Sequence, residues 1–150
     1  TIEFEKRGLS HVHILLFLCH ENKLITPSDV NRVVSAEIPD KITCPSLHEA
    51  IKNYMLHSPC GDAIRYSPCM KNGKYSKYFL NFFFGDTTID DDGHVIYRRR
   101  DNGGSILKNG VQLDNRFVVP YNPVLLLRYQ AHLNIEVCNQ SSSIKYLFKY

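Results

Sequence analysis

The chain has 150 residues, 43% hydrophobic and 22% charged, the size and make-up of one globular domain with a single sizeable core. Eighteen basic and fifteen acidic residues leave a net charge of +3, too mild a balance to assign a nucleic-acid or membrane partner by itself. The longest apolar run, Ile14 to Cys19, is far too short to cross a bilayer, and no leader or lipidation pattern is visible, so no membrane partner is expected. Five cysteines, Cys19, Cys44, Cys60, Cys69 and Cys138, are odd in number and scattered. That argues against a secreted disulfide framework and for a reducing, intracellular compartment. The chain opens in strand-like character and stops at Tyr150, which suggests a segment of a longer protein.

In chain order, residues 1–7 alternate apolar and charged side chains, a strand pattern. Gly8-Leu9-Ser10 can turn the chain into a second strand, His11 to Leu18, apolar enough to be central in a sheet. Thr26-Pro27-Ser28-Asp29 reads as a helix start, with a capping Thr, Pro at the first position and an acid in the first turn. Val30, Val33 and Val34 give that helix an apolar face. A second helix starts near Cys44-Pro45-Ser46 and carries Leu47, Ile51, Tyr54 and Met55 at helical spacing.

Residues 57–78 read as an irregular loop, and Asp86 to Gly93 as an acidic turn region. Val95 to Arg100 reads as a strand, followed by a turn at Asp101-Asn102-Gly103-Gly104. Asn109-Gly110, between Ile106-Leu107-Lys108 and Val111-Gln112-Leu113, is the sharpest hairpin signal. Phe117 to Val119 is a short strand ended by Pro120. Asn122-Pro123 caps a helix to about Tyr129. Leu133, Ile135 and Val137 alternate with polar neighbours as a half-buried strand, and Ser141 to Ser143 open a final helix to Tyr150. The sum is an α+β domain, an antiparallel sheet flanked by helices, spanning residues 1–150 as one unit.

Two constellations could carry chemistry. The first is His11-Val12-His13. Residues two apart in a strand share a face, with Cα atoms roughly 6.5 Å apart, so the two imidazoles can converge on one ion. Glu5 lies across the presumed turn and Glu3 has the same parity; either could add a carboxylate, which admits Mg²⁺ or Mn²⁺. Taken alone, His-x-His is more often structural or surface than metal-binding. The second is Tyr146 and Tyr150, four apart on the predicted last helix and beside Lys145 and Lys149. Taken alone, two rings on one helix face read more often as core than as a site. As nucleophiles, phenols with a pKa near 10 need a cation or metal nearby to favour the phenolate.

Together the two sites fit one mechanism. A metal held by two histidines and an acid polarises a phosphate, and a tyrosine attacks to leave a 5′-phosphotyrosine and a free 3′-OH. This is the chemistry of the HUH replication-initiator nucleases, named for His-hydrophobe-His. Arg98-Arg99-Arg100 reads either as a phosphate-contacting strand or as a solvated edge.

Phe4-Glu5-Lys6-Arg7-Gly8-Leu9-Ser10-His11-Val12-His13-Ile14-Leu15 resembles the signature of Helitron rolling-circle transposases, F-Q-K-R-G-L-P-H-x-H-I-L. Further blocks follow in the family's order: residues 34–40 (Val34 to Asp40), Tyr97-Arg98-Arg99-Arg100, residues 113–123 (Leu113 to Pro123) and residues 144–150 (Ile144 to Tyr150). They span nearly the whole chain, and plant-type members look most similar. The resemblance implies an HUH nuclease fold, with His11 and His13 as metal ligands and Glu5 as the third, where the family commonly has Gln. It implies one divalent ion, Mg²⁺ or Mn²⁺. Tyr146 and Tyr150 match the paired nucleophiles, with Lys149 beside them. Arg98, Arg99, Arg100, Arg116 and Lys145 become candidates for DNA-backbone contacts. Tyr97 and Tyr121 could stack on unpaired bases or be ordinary strand aromatics.

The implied partners are single-stranded DNA at transposon ends and, in the full-length protein, a helicase domain in cis. That domain is absent here, and the chain has no G-x-x-x-x-G-K-[ST] phosphate loop. The implied location is the nucleus. There are departures. Ser10 replaces a usual Pro, Leu80 stands where Pro is usual, and Tyr75 takes the place of a third cysteine after Cys60 and Cys69. If the family's cysteines bind zinc with His57, this chain lacks a ligand, so a structural zinc is not expected. The leading expectation is a metal-dependent single-strand DNA endonuclease and strand transferase. The alternatives are a relic that only binds single-stranded DNA and a small zinc-containing interaction domain.

Overall fold

A computed structural model of the chain describes residues 2–4, 10–57, 70–71, 74–75 and 81–138; residues 2–4, 10–12, 70–71 and 74–75 are described by their backbone. The helices begin where local chemistry starts them. The first, α1 (Pro27–Val33), has Thr26 as its cap. The Thr26 hydroxyl accepts from the Asp29 N–H at 3.2 Å, and the Asp29 carboxylate accepts from the Thr26 N–H at 3.0 Å. This reciprocal pair satisfies donors that the first helical turn leaves open. The next helix, α2 (Pro45–Ala50), runs on through a wider π turn at Ile51–Met55. The last described helix, α3 (Pro123–Tyr129), is capped by Asn122, whose side chain accepts from the Leu125 N–H at 2.9 Å. Gln130 ends it in the left-handed conformation, φ 46°, a common helix stop.

Among the described residues the strands are short and pair in four separate two-stranded ladders, all antiparallel. They are β1 (Ile2–Phe4) with β2 (Ser10–Val12), β3 (Met70–Lys71) with β4 (Lys74–Tyr75), β5 (Thr88–Ile89) with β6 (Val95–Ile96), and β7 (Ser105–Lys108) with β8 (Val111–Asp114). The β7–β8 hairpin turns on Asn109 (φ 53°) and Gly110 (φ 78°), both positive as a type I′ turn requires. The chain is thus mixed α+β with antiparallel pairing.

Several strand expectations are corrected. Among the described residues no single sheet forms; isolated bridges, Ser35–Tyr121, Leu56–Val118 and Phe84–Arg99, stitch the chain between the ladders. The second strand stops at Val12, and Ile14, Leu16 and Phe17 beyond it are exposed. A short apolar run reads the same whether or not a partner strand is present to bury it. Val95 to Arg100 is a strand only over Val95–Ile96, and Phe117 belongs to a 3₁₀ turn, Asn115–Phe117. Residues 133–137 keep the expected alternation of burial but pair with no strand among the described residues. The Ile135 N–H donates instead to the Pro120 carbonyl at 3.0 Å.

Among the described residues two apolar clusters make the core. The larger joins α2 and its π turn, the β7–β8 hairpin, residues 118–121 and α3, with Ile51, Met55, Leu113, Val118 and Leu126 fully buried. The smaller packs Val30, Val34 and Val95 with Leu24, Ile89, Ile135 and Val137. The predicted apolar faces of α1 and α2 are the ones buried.

Candidate functional site

The expected metal site begins at the β1–β2 ladder. Its register pairs Ile2 with Val12, Glu3 with His11 and Phe4 with Ser10. Glu3 therefore stands directly across from His11, and His13 follows immediately after β2 at an exposed position. Two imidazole-bearing residues two apart and a carboxylate residue on the facing strand form a donor set that suits a small divalent cation. Glu5 lies outside the described residues. Among the described residues no group of three or more His, Cys, Asp or Glu side chains gathers as a metal cage.

The three consecutive arginines divide between two faces, as neighbours along an extended chain must. Arg98 and Arg100 both reach Glu37. Arg98 Nε donates to it at 3.2 Å, Arg100 Nε at 2.8 Å, Arg100 Nη2 at 2.8 Å, and the Arg100 backbone N–H at 2.9 Å. Arg99 points the other way and is 4% exposed. Its Nη1 donates to the carbonyls of Val118 (2.6 Å), Asn115 (2.7 Å) and Ala36 (3.3 Å). Burial lowers the Arg99 pKa to about 10, so the guanidinium remains charged at neutral pH.

Burial pushes the Glu37 carboxyl up, but the Arg100 hydrogen bonds and the charges of Arg98 and Arg100 outweigh it, and the net shift is downward. Asn115, 1% exposed, accepts from the Ile38 N–H at 2.7 Å and donates to the Arg100 carbonyl at 2.8 Å. Tyr121 donates its hydroxyl to the Glu37 carbonyl at 2.9 Å. Three sequence blocks far apart in the chain (34–40, 97–100 and 113–123) thus meet in one buried polar network. Among the described residues no buried side-chain nitrogen or oxygen is left without a partner, as a stable polar network requires.

Arg116 lies with its guanidinium 4.6 Å from the Phe83 ring centroid and pairs with Asp114 at 2.7 Å. Tyr121 is a core residue, and Tyr97 is half-buried, its hydroxyl accepting from the Val137 N–H at 2.8 Å. Burial pushes both phenols up, each to about 12. Of the two readings for these tyrosines, the ordinary structural one describes their surroundings.

Tyr146, Tyr150, Lys145 and Lys149 lie outside the described residues, as do Cys60 and Cys69. Cys19, Cys44 and Cys138 are free thiols at exposed positions. No helix among the described residues is long and apolar enough to cross a membrane. Glu37 and Asn115 were not singled out from the sequence. The available signal was a carboxylate set in the apolar run Val33 to Ile38, where an unpaired charge would be costly. Neither a scan against protein-family models nor a search of curated proteins finds a match for the chain.

Proposed function

We propose that the chain is an HUH-type tyrosine endonuclease domain of a Helitron rolling-circle transposase, cutting and transferring single-stranded DNA with one Mg²⁺ or Mn²⁺. The observation that carries this reading is the β1–β2 register, which sets an acidic residue opposite the first histidine of His11-Val12-His13. His11 and His13 would hold the ion, with Glu3 or Glu5 as the carboxylate. An ion held by these residues would supply Lewis-acid polarisation of the scissile phosphate.

Tyr146, or Tyr150 beside it, supplies the nucleophile. Its phenolic oxygen, having lost its proton to solvent with Lys149 favouring the phenolate, forms the bond to phosphorus. The P–O3′ bond breaks, and the 3′ oxygen takes up a proton. The products are a 5′-phosphotyrosine and a free 3′-OH, so a later 3′-OH can reverse the step and reseal the strand. Of the arginines the resemblance singles out, Arg98, Arg100 and Arg116 are partly exposed, whereas Arg99 is committed to the interior.

A cleavage assay with end-labelled single-stranded oligonucleotides tests the reading. With Mn²⁺ the chain should form a covalent protein–DNA adduct, abolished by EDTA and reduced at least tenfold by Tyr146→Phe and by His13→Ala. Retained single-strand binding without any adduct would overturn the nuclease and leave a DNA-binding relic.

A further inference from the structure

The β1–β2 ladder stands as a sheet of its own. Among the described elements, neither strand makes a contact with any other that compares with their contact with each other. The chain that follows β2 does not anchor the ladder either, since Ile14, Leu16 and Phe17 are exposed. A two-stranded ladder alone in water is marginally stable at best. Pairing of β1 with β2 therefore calls for a contribution from outside the backbone hydrogen bonds.

We propose that Glu3 on β1, with His11 and His13 from the β2 side, holds one divalent cation across the ladder, and that binding it locks the two strands together. The inference rests on the metal-dependent reading above. It names Glu3 rather than Glu5 as the carboxylate and gives the cation a structural role. The register carries the assignment. Glu3 is paired directly with His11, and directly opposed residues share a face, with Cβ atoms about 4.5–5.5 Å apart. His13, two residues after His11, has the same parity. The last described pair is Phe4 with Ser10, and Glu5 comes after it in the chain. A slip of one residue would move Glu3 to the other face, so the donor set exists only in this register. One carboxylate and two imidazoles suit a cation such as Mn²⁺. Because the donors come from both strands, the full set is lost when the strands part, and metal binding is linked to pairing. With free cation at one hundred times its Kd, the ratio of paired to unpaired ladder rises about 100-fold.

Two measurements on the full chain, neither of which needs DNA, test this. The paramagnetic resonance signal of free Mn²⁺ gives the Kd, and hydrogen exchange read by mass spectrometry gives the pairing. Saturating Mn²⁺ should slow exchange over residues 1–13 by up to about 100-fold and leave α1 and β8 unchanged. Glu3→Gln keeps the side chain's size and removes its charge. It should weaken Mn²⁺ binding by at least the roughly tenfold that outer-shell losses cost, and abolish the slowing. His13→Ala should do the same, whereas Glu5→Gln should keep both binding and slowing. Parent-like exchange in α1 and β8 shows that each variant is folded. If Glu5→Gln loses Mn²⁺ while Glu3→Gln keeps it, the assignment of Glu3 is wrong and the metal-dependent nuclease reading stands. If Mn²⁺ binds through Glu3 but exchange over residues 1–13 does not change, the locking of the ladder is overturned. If the chain binds no Mn²⁺, this inference and the metal-dependent reading fall together.

Discussion

Glu37 sits in an environment that its residue type does not suggest. A carboxylate 7% exposed is tolerated because two guanidinium groups and a backbone N–H converge on it. Its folded-state pKa lies below the ordinary value of 4.5. A depressed carboxylate contributes stability that is complete above its unfolded value and lost as pH falls through the folded one. Asp114, which burial raises but the hydrogen bonds and charge of Arg116 lower more, acts in the same direction. Urea midpoints should therefore drop as pH falls below about 5, and Glu37→Gln should lower the neutral-pH midpoint while flattening that acid decline. An unchanged acid limb in Glu37→Gln would show that the carboxylate is not coupled to folding. The local sequence carries the presence of Arg98-Arg99-Arg100 but not its division of labour. Whether an arginine faces water or three carbonyls depends on which segment lies across from it.

At the scale of elements, what was legible is what is decided within a few residues. Thr26-Pro27, Asn122-Pro123 and Asn109-Gly110 act on their own neighbours through caps, a fixed φ and a positive φ, and each sits where it was read. The hairpin turn gives a clean test. A Cβ added at Gly110 would meet nothing within 4 Å, so any cost of Gly110→Ala comes from its φ of 78° alone. The substitution should cost about 1 kcal/mol. For a chain of this size that is a fall in Tm of about 2–4 °C, readable by differential scanning calorimetry. No change in Tm would mean the turn does not hold that conformation in solution. Strand extents were the least legible. Residues 14–18 and 133–137 have strand patterns, yet a pattern fixes only which side chains are apolar, not whether another strand supplies hydrogen bonds.

Across the whole molecule, the polar network sits where residues 34–38 pass from the smaller apolar cluster, through Val34, to the larger, through Ile38. Arg99 is central to it because its Nη1 serves carbonyls of the 34–38 segment, the Asn115–Phe117 turn and Val118. Arg99→Met keeps much of the side chain's bulk but orphans those acceptors. It should cost about 3 kcal/mol or more in chemical denaturation, whereas Arg98→Met, at a partner of Glu37 whose side chain is 34% exposed, should cost about 1 kcal/mol or less. Equal losses for the two variants would refute the buried role of Arg99. Local and long-range placement divide the same way. The β1–β2 pairing behind the His11–Glu3 juxtaposition was readable from an alternating segment, a turn and an apolar segment. The gathering of Glu37, Arg99, Asn115 and Tyr121 was not, because their separations of up to 84 residues leave no periodic trace. By itself the sequence determined the helix starts, the hairpin turn and the apolar faces, all set by short-range sterics and hydrogen bonding. Only the tertiary structure decided which charged residues turn inward, because that depends on which buried carbonyls and carboxylates folding brings within reach of them.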